Sequence, residues 1–197
     1  MNLSYTALIL AAATGPLSSQ TRPAVTLRVV NEAGVEARIL ESAKREAAGI
    51  LKRADVGILW LDCEAGHADW QSANPCQRDR GPAEFWLRIA AKRPQAAVGE
   101  MLAFTELGSS GDGLAGVYYP AIAAMATPDR PPLADILGAA IVHEVGHLIL
   151  GADAHSPGGV MKAFWGKEQF RQIAIDELGF SADQARKLRS ELLRRSQ

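Results

Sequence analysis

Cysteine, histidine and net charge are all scarce in this chain of 197 residues. It has two cysteines, four histidines and a formal net charge of −1, from 21 basic and 22 acidic side chains. Two cysteines are too few for a disulfide scaffold, and balanced charge gives no field to attract nucleic acid or an anionic membrane. We therefore expect no nucleic-acid partner. With 48% hydrophobic residues, the composition predicts a globular domain with a sizeable core.

The first 20 residues carry no charged side chain and contain an apolar run at positions 8–13, followed by small and turn-forming residues. This pattern is typical of a secretory signal peptide, and the run is too short to span a bilayer. We predict a signal peptide over 1–20, cleaved between Ala13 and Gln20, and a single domain over 21–197. The protein would then be secreted or periplasmic, without a stable membrane anchor. Because a basic segment is missing, an ordinary buried strand or helix start is the alternative.

The two cysteines, Cys63 and Cys76, flank a polar, turn-rich stretch. In an exported chain an even cysteine count favours one disulfide, which would close this short loop. The alternative is a second metal site that includes His67, although the spacing lacks the paired cysteines of a structural zinc module.

Three of the four histidines fall within positions 143–155. His143 and His147 are four residues apart, so on a helix both imidazoles lie on one face. Glu144 adjoins the first and can reach a water bound to the same ion. Two nitrogen ligands, a general base and an open coordination position are the parts of a zinc hydrolase site. The flanking residues are apolar, so we expect a buried helix, where unpaired imidazoles would be costly. The alternative is a pair of core histidines satisfied by hydrogen bonds.

A tight turn follows the third histidine and ends in a methionine. A helix with His-Glu-x-x-His, a glycine turn, a His-Ser step and this methionine resembles the metzincin metalloproteases, with the matrix-metalloprotease-like members nearest. The resemblance implies a catalytic Zn²⁺ bound by three histidines, a glutamate base and a Met-turn beneath the metal. Carried over to this chain, the ligands are His143, His147 and His155, the base is Glu144, and the Met-turn residue is Met161.

The spacing departs from that family after the second histidine. Gly151 and His155 stand one and two residues later than the family pattern, and one extra helical residue rotates the chain by about 100°. Plain counting would place the third ligand at Asp153, whose carboxylate could also bind zinc. We favour His155 because its Ser-containing continuation matches. A third alternative is Glu168, on a second helix as in thermolysin-like (gluzincin) enzymes.

The pattern of apolar residues predicts a mixed α/β (α+β) fold. The resemblance implies a twisted, mostly parallel five-stranded sheet with one antiparallel edge strand, a long helix and the active-site helix packed on it, and C-terminal helices. We expect Gly138 and Gly146 to allow close packing of the active-site helix on the sheet. The predicted strands cover 25–30, 57–63, 84–90, 101–105 and 116–120, and the predicted helices cover 33–54, 133–150, 167–178 and about 181–194.

These observations favour a secreted, monomeric zinc-dependent endopeptidase that acts on a peptide or protein substrate. Glu144 would take the proton of a water whose pKa the metal lowers towards about 7. The resemblance implies that the strand at 101–105 is the edge strand above the cleft, where it would hold an extended peptide by strand addition. Apolar residues at 163–165 hint at an apolar subsite. The alternative from another class is a zinc-binding, non-catalytic interaction domain, but a structural site has no use for the buried Glu144 carboxylate.

Overall fold

The computed structural model describes residues 22–63, 76–92, 102–108 and 113–197. The predicted signal peptide and His67 lie outside these ranges. Within the described ranges the chain forms five strands and five helices. The strands are β1 (Ala24–Asn31), β2 (Gly57–Cys63), β3 (Glu84–Ala90), β4 (Ala103–Leu107) and β5 (Gly113–Tyr118). The helices are α1 (Ala37–Arg53), α2 (Tyr119–Ala123), α3 (Leu133–Leu150), α4 (Lys167–Ala174) and α5 (Ala182–Arg195).

The strands form one sheet in the order β2-β1-β3-β5-β4. β1 pairs in parallel with β2 and β3, β3 pairs in parallel with β5, and β4 runs antiparallel to β5. The helix between β1 and β2 provides the crossover that such a parallel pair requires. The predicted fold class is confirmed, and the antiparallel strand β4 lies at an edge of the sheet.

One face of the sheet packs on α1 and α3 and forms the core. Alternate residues of the central strands, such as Leu27, Leu87 and Val117, are fully buried on this face. Helix α3 is long and apolar enough to cross a membrane, but 72% of it is buried inside the fold. It is therefore the core helix that its apolar flanks predict.

The two glycines of α3 do not face the sheet, so the expected reason for their presence is wrong. A Cβ at Gly138 would approach the backbone of Ala43 and Ala47 on α1, and a Cβ at Gly146 would overlap the side chain of Met161. The missing side chains instead let α3 approach α1 and the turn after His155.

Some element boundaries also differ from the predictions. β5 begins at Gly113, three residues earlier than predicted. It ends at Tyr118, because Pro120 lies in the first turn of α2 rather than in a strand. β4 continues to Leu107, while Met101 lies outside the described residues. α4 ends at Ala174, and Asp176 just beyond it has a φ of 54°, which no continuing helix allows.

Cys63 at the end of β2 and Cys76 form the predicted disulfide, with their Cα atoms 5.9 Å apart. The segment after it is fixed to the sheet by Arg28 of β1, which donates to the carbonyls of Cys76 (3.0 Å) and Arg78 (2.9 Å). Arg28 is also paired with Glu84 at 2.6 Å, and both side chains are buried. The arginine therefore needs all of these acceptors, since an unpaired buried charge is costly.

Three carboxyl groups meet where α1, α3 and the end of α4 come together. Glu46 of α1 faces Asp135 of α3 and Asp176, and the charge of Arg53 acts against their effect on its pKa. Burial, followed by the charges of Asp135 and Asp176, raises the pKa of Glu46 to about 7. Burial and Asp176 also raise the pKa of Asp135.

We predict that Glu46→Gln stabilises the protein at pH 8 and has little effect at pH 4. The folded chain binds this proton more tightly than the unfolded chain, so the free energy of unfolding falls as pH rises from about 4.5 to about 7. At this partly buried site the gain is on the order of 1 kcal/mol, or about 2–4 °C in Tm. Thermal unfolding of wild type, Glu46→Gln and the exposed control Glu36→Gln checks it. Equal Tm values at pH 8 would contradict the prediction.

Candidate active site

Three imidazole rings meet at one end of α3. His143 and His147 project from the helix, and His155 approaches from the loop that follows it. The Nε2 atom of His147 lies 3.1 Å from Nε2 of His143 and 3.1 Å from Nε2 of His155. All three ligand nitrogens lie within 4.8 Å of one another. His147 is buried and His155 is exposed, so the cluster is open to solvent on one side.

Backbone carbonyls fix the two helix histidines in one tautomer. Nδ1 of His143 donates to the carbonyl of Val160 at 2.7 Å, and Nδ1 of His147 donates to the carbonyl of Gly151 at 3.1 Å. A carbonyl only accepts, so the ring proton must be on Nδ1. In the neutral ring this leaves the Nε2 lone pair free and directed into the cluster.

Burial keeps these rings neutral. It lowers the pKa of His143 to about 4, with His147 and His155 acting in the same direction. Burial also lowers the pKa of His147. Two Nε2 lone pairs 3.1 Å apart cannot hydrogen-bond to each other without a proton between them. A cation between the nitrogens would accept both lone pairs. Nitrogens that bind one tetrahedral Zn²⁺ at about 2.0–2.1 Å lie about 3.3 Å apart, close to the 3.1 Å seen here. The three histidines therefore fit a metal ion with one coordination position left open.

The longer loop between the helix and His155 has its own anchors. Gly151 ends α3 with a φ of 96°, a conformation that favours glycine. The carbonyl of Ala154 then accepts a hydrogen bond from Nε2 of Gln184 on α5, at 3.0 Å. Gln184 is buried, and its Oε1 accepts from the backbone N–H of Ser181 at 3.1 Å. Helix α5 thus fixes the residue before His155.

Neither alternative ligand belongs to the cluster. Asp153 is exposed on the loop and is not among the residues whose ligand atoms converge. Glu168 is on α4, and both of its oxygens accept from Arg171, at 2.9 and 3.0 Å. Among the described residues, the structure brings together His143, His147 and His155 only.

Met161 is completely buried and packs against α3. Its sulfur contacts α3 at Gly146, one residue before His147. The carbonyl of Met161 accepts from the N–H of Ser156 at 2.9 Å, which closes the turn between His155 and Met161. The glycine and the methionine are thus complementary, since any larger residue at 146 would displace the sulfur.

Glu144 is 6% exposed and projects towards strand β4. Its Oε2 atom accepts a hydrogen bond of 2.6 Å from the hydroxyl of Thr105. Burial raises the pKa of Glu144 to about 7, and the Thr105 hydrogen bond opposes this shift. A carboxyl group with a pKa near neutrality can both accept and return a proton.

Several residues of the site are not recognisable as such in the sequence. Thr105 and Gln184 are distant from the histidine motif, and only the fold brings them to it. Trp165 donates from its indole nitrogen to the Val160 carbonyl at 3.2 Å and packs edge-on against His143. The indole therefore contacts both the His143 ring and the carbonyl to which that ring donates. Phe164 beside it is 86% exposed.

Comparisons with known proteins show a likeness of fold. A zinc-dependent peptidase from Methanocorpusculum labreanum (strain Z) has a similar structure, with a TM-score of 0.50 and 13% sequence identity. The match covers 82% of this chain and 99% of that one. No protein-family model matches the sequence. No curated protein matches it either.

We predict that His155→Ala weakens Zn²⁺ binding by more than about 100-fold, because changes to groups that merely support a ligand already cost 10–100-fold. Asp153→Asn and Glu168→Gln, by contrast, should leave the affinity within about threefold, since neither carboxylate reaches the cluster. Competition with a chromophoric chelator at pH 7.5 measures all three. A larger loss in Asp153→Asn than in His155→Ala would assign the third ligand to the aspartate.

Proposed function

We propose that this protein is a zinc-dependent endopeptidase with a metzincin-like site. The observation that carries the proposal is the convergence of three imidazole Nε2 atoms beside a buried carboxylate that is not itself part of the cluster. A structural zinc site is closed by four protein ligands, whereas a catalytic site keeps one position for water or substrate. Three histidines and one separate carboxylate correspond to the catalytic type.

The chemistry divides between the metal and the protein. When bound, Zn²⁺ supplies a Lewis acid that acidifies water and polarises the scissile carbonyl. Glu144 takes the proton of the attacking water and passes it to the nitrogen of the leaving amine. Its raised pKa suits both steps, because an acid–base group works best near the operating pH. The histidines hold their lone pairs in place through the carbonyls of Val160 and Gly151.

The sheet edge next to the site supports a peptide substrate. β4 pairs with β5 on one side, and it is the last strand of the described sheet on the other. An extended peptide can pair with the free edge of such a strand through backbone hydrogen bonds, which depend little on sequence. Thr105 of this strand touches Glu144, so a peptide on the edge would lie close to the base. The exposed Phe164 ring offers an apolar contact for a substrate side chain.

Two further observations support the proposal. The fold is shared with a protein described as a zinc-dependent peptidase, although 13% identity by itself shows only the fold. The Cys63–Cys76 disulfide suits an oxidising compartment, which supports export to the periplasm or the extracellular space.

We predict that Glu144→Gln retains Zn²⁺ and loses about 10²- to 10⁴-fold in kcat for peptide hydrolysis, because the amide cannot take up the proton. Hydrolysis of an internally quenched peptide library by the zinc-loaded protein measures activity, and metal analysis measures zinc content. The exposed Glu177→Gln serves as the matched control, and a chelator should abolish wild-type activity.

The outcomes separate the two classes of function. Full activity in Glu144→Gln would refute this mechanism. Stoichiometric Zn²⁺ without hydrolysis of any peptide by the wild type would instead indicate a zinc-binding, non-catalytic domain.

A further inference from the structure

Thr105 links the sheet edge to the carboxylate of Glu144. Its Oγ1 atom lies 2.6 Å from Oε2 of Glu144 and 3.3 Å from the backbone carbonyl of the same residue. A hydroxyl has one proton to donate, so the shorter contact carries the hydrogen bond. The length is that of a charge-assisted O–H···O⁻ bond, which is stronger than a bond between neutral groups.

We propose that Thr105 is a positioning residue for the general base, an inference that rests on the proposed peptidase function. A glutamate side chain has three rotatable bonds, and burial alone does not select one of its rotamers. The hydroxyl of Thr105 holds one carboxylate oxygen and thereby fixes the direction of the other. General bases need this control, since proton transfer demands hydrogen-bond distance to the group that reacts.

The position of Thr105 is itself fixed by the packing of β4. Thr105 pairs with Ala115 of β5, and its side chain lies on the face of the sheet that α3 covers. On the opposite face, the ring of the preceding residue, Phe104, occupies the space above Gly116, where a Cβ would overlap it. The same ring stacks on Tyr118 with centroids 5.5 Å apart. A shift by one residue would turn Phe104 into the helix face, so the register is determined.

This arrangement has a consequence for the substrate. A peptide that pairs with the free edge of β4 takes its register from the strand whose Thr105 hydrogen-bonds to Glu144. The position of the scissile bond and the orientation of the Glu144 carboxylate are therefore both set by β4. Binding energy from the peptide backbone is then used to place the reacting carbonyl opposite a base that is already oriented.

The test compares Thr105→Val, which keeps the β-branched shape and removes the hydroxyl, with Thr105→Ser, which keeps the hydroxyl. We expect Thr105→Val to lower kcat by about 10- to 100-fold with KM within about twofold, the usual cost of a lost supporting hydrogen bond at a catalytic group. Thr105→Ser should recover kcat to within about threefold of wild type. The exposed Thr127→Val, which removes a hydroxyl outside β4, serves as the control.

A binding measurement provides a second readout that does not depend on turnover. A peptide hydroxamate presents an N–OH donor to the base, so its affinity should fall about 10-fold in Thr105→Val and return in Thr105→Ser. The affinity for Zn²⁺ should be unchanged in both variants, because the Thr105 hydroxyl contacts Glu144, which is not a metal ligand.

The results distinguish this inference from the proposed function. If wild type hydrolyses peptides, Glu144→Gln does not, and Thr105→Val keeps its kcat and its hydroxamate affinity, the positioning role is refuted while the peptidase stands. Equal losses in the valine and serine variants would also overturn it, because a purely structural role does not depend on the hydroxyl. If wild type itself neither hydrolyses peptides nor binds the hydroxamate with Zn²⁺ present, the proposed function has failed.

Discussion

The site depends on the cost of burying polar side chains in helix α3. Two imidazoles and a carboxylate are carried by a helix that is otherwise almost wholly apolar and that packs in the centre of the fold. Each of these groups needs a partner that the helix cannot supply, because its own backbone groups are already paired. The partners lie outside the helix: the carbonyl of Gly151 directly after it for His147, the carbonyl of Val160 for His143, and the hydroxyl of Thr105 for Glu144. The bonds to the imidazoles also direct their Nε2 atoms into the three-histidine cluster, which could hold a metal ion.

Close approach of the backbone makes these partners available. Gly138 lets α3 approach α1, and Gly146, one residue before His147, lets the sulfur of Met161 lie directly against the helix. The Met161 turn in turn positions Val160, whose carbonyl accepts from His143. The glycines therefore contribute to the site although neither takes part in chemistry. Their loss of helix propensity, about 1 kcal/mol each relative to alanine, is offset by this packing.

Much of the fold follows from local patterns. The alternation at β1, the apolar run at β2 and the periodicity of α1 lead to a parallel pair with a helical crossover, as the structure confirms. The cysteines are near enough in sequence for their disulfide to be foreseen. The predictions failed at positions where tertiary packing determines the local structure. The α3 glycines face α1 and Met161 instead of the sheet, and Pro120 begins a short helix where a strand was expected.

The sequence by itself determined which chemistry α3 can carry, because helical periodicity places His143 and His147 on one face with Glu144 beside them. It did not determine how the lengthened loop returns to that face. The tertiary structure decided this through α5, where Gln184 holds the carbonyl of Ala154 and brings His155 to within 3.1 Å of His147. It also decided the partner of Glu144, since Thr105 is 39 residues away in the chain. Contacts of this kind depend on how elements pack, and no local periodicity encodes them.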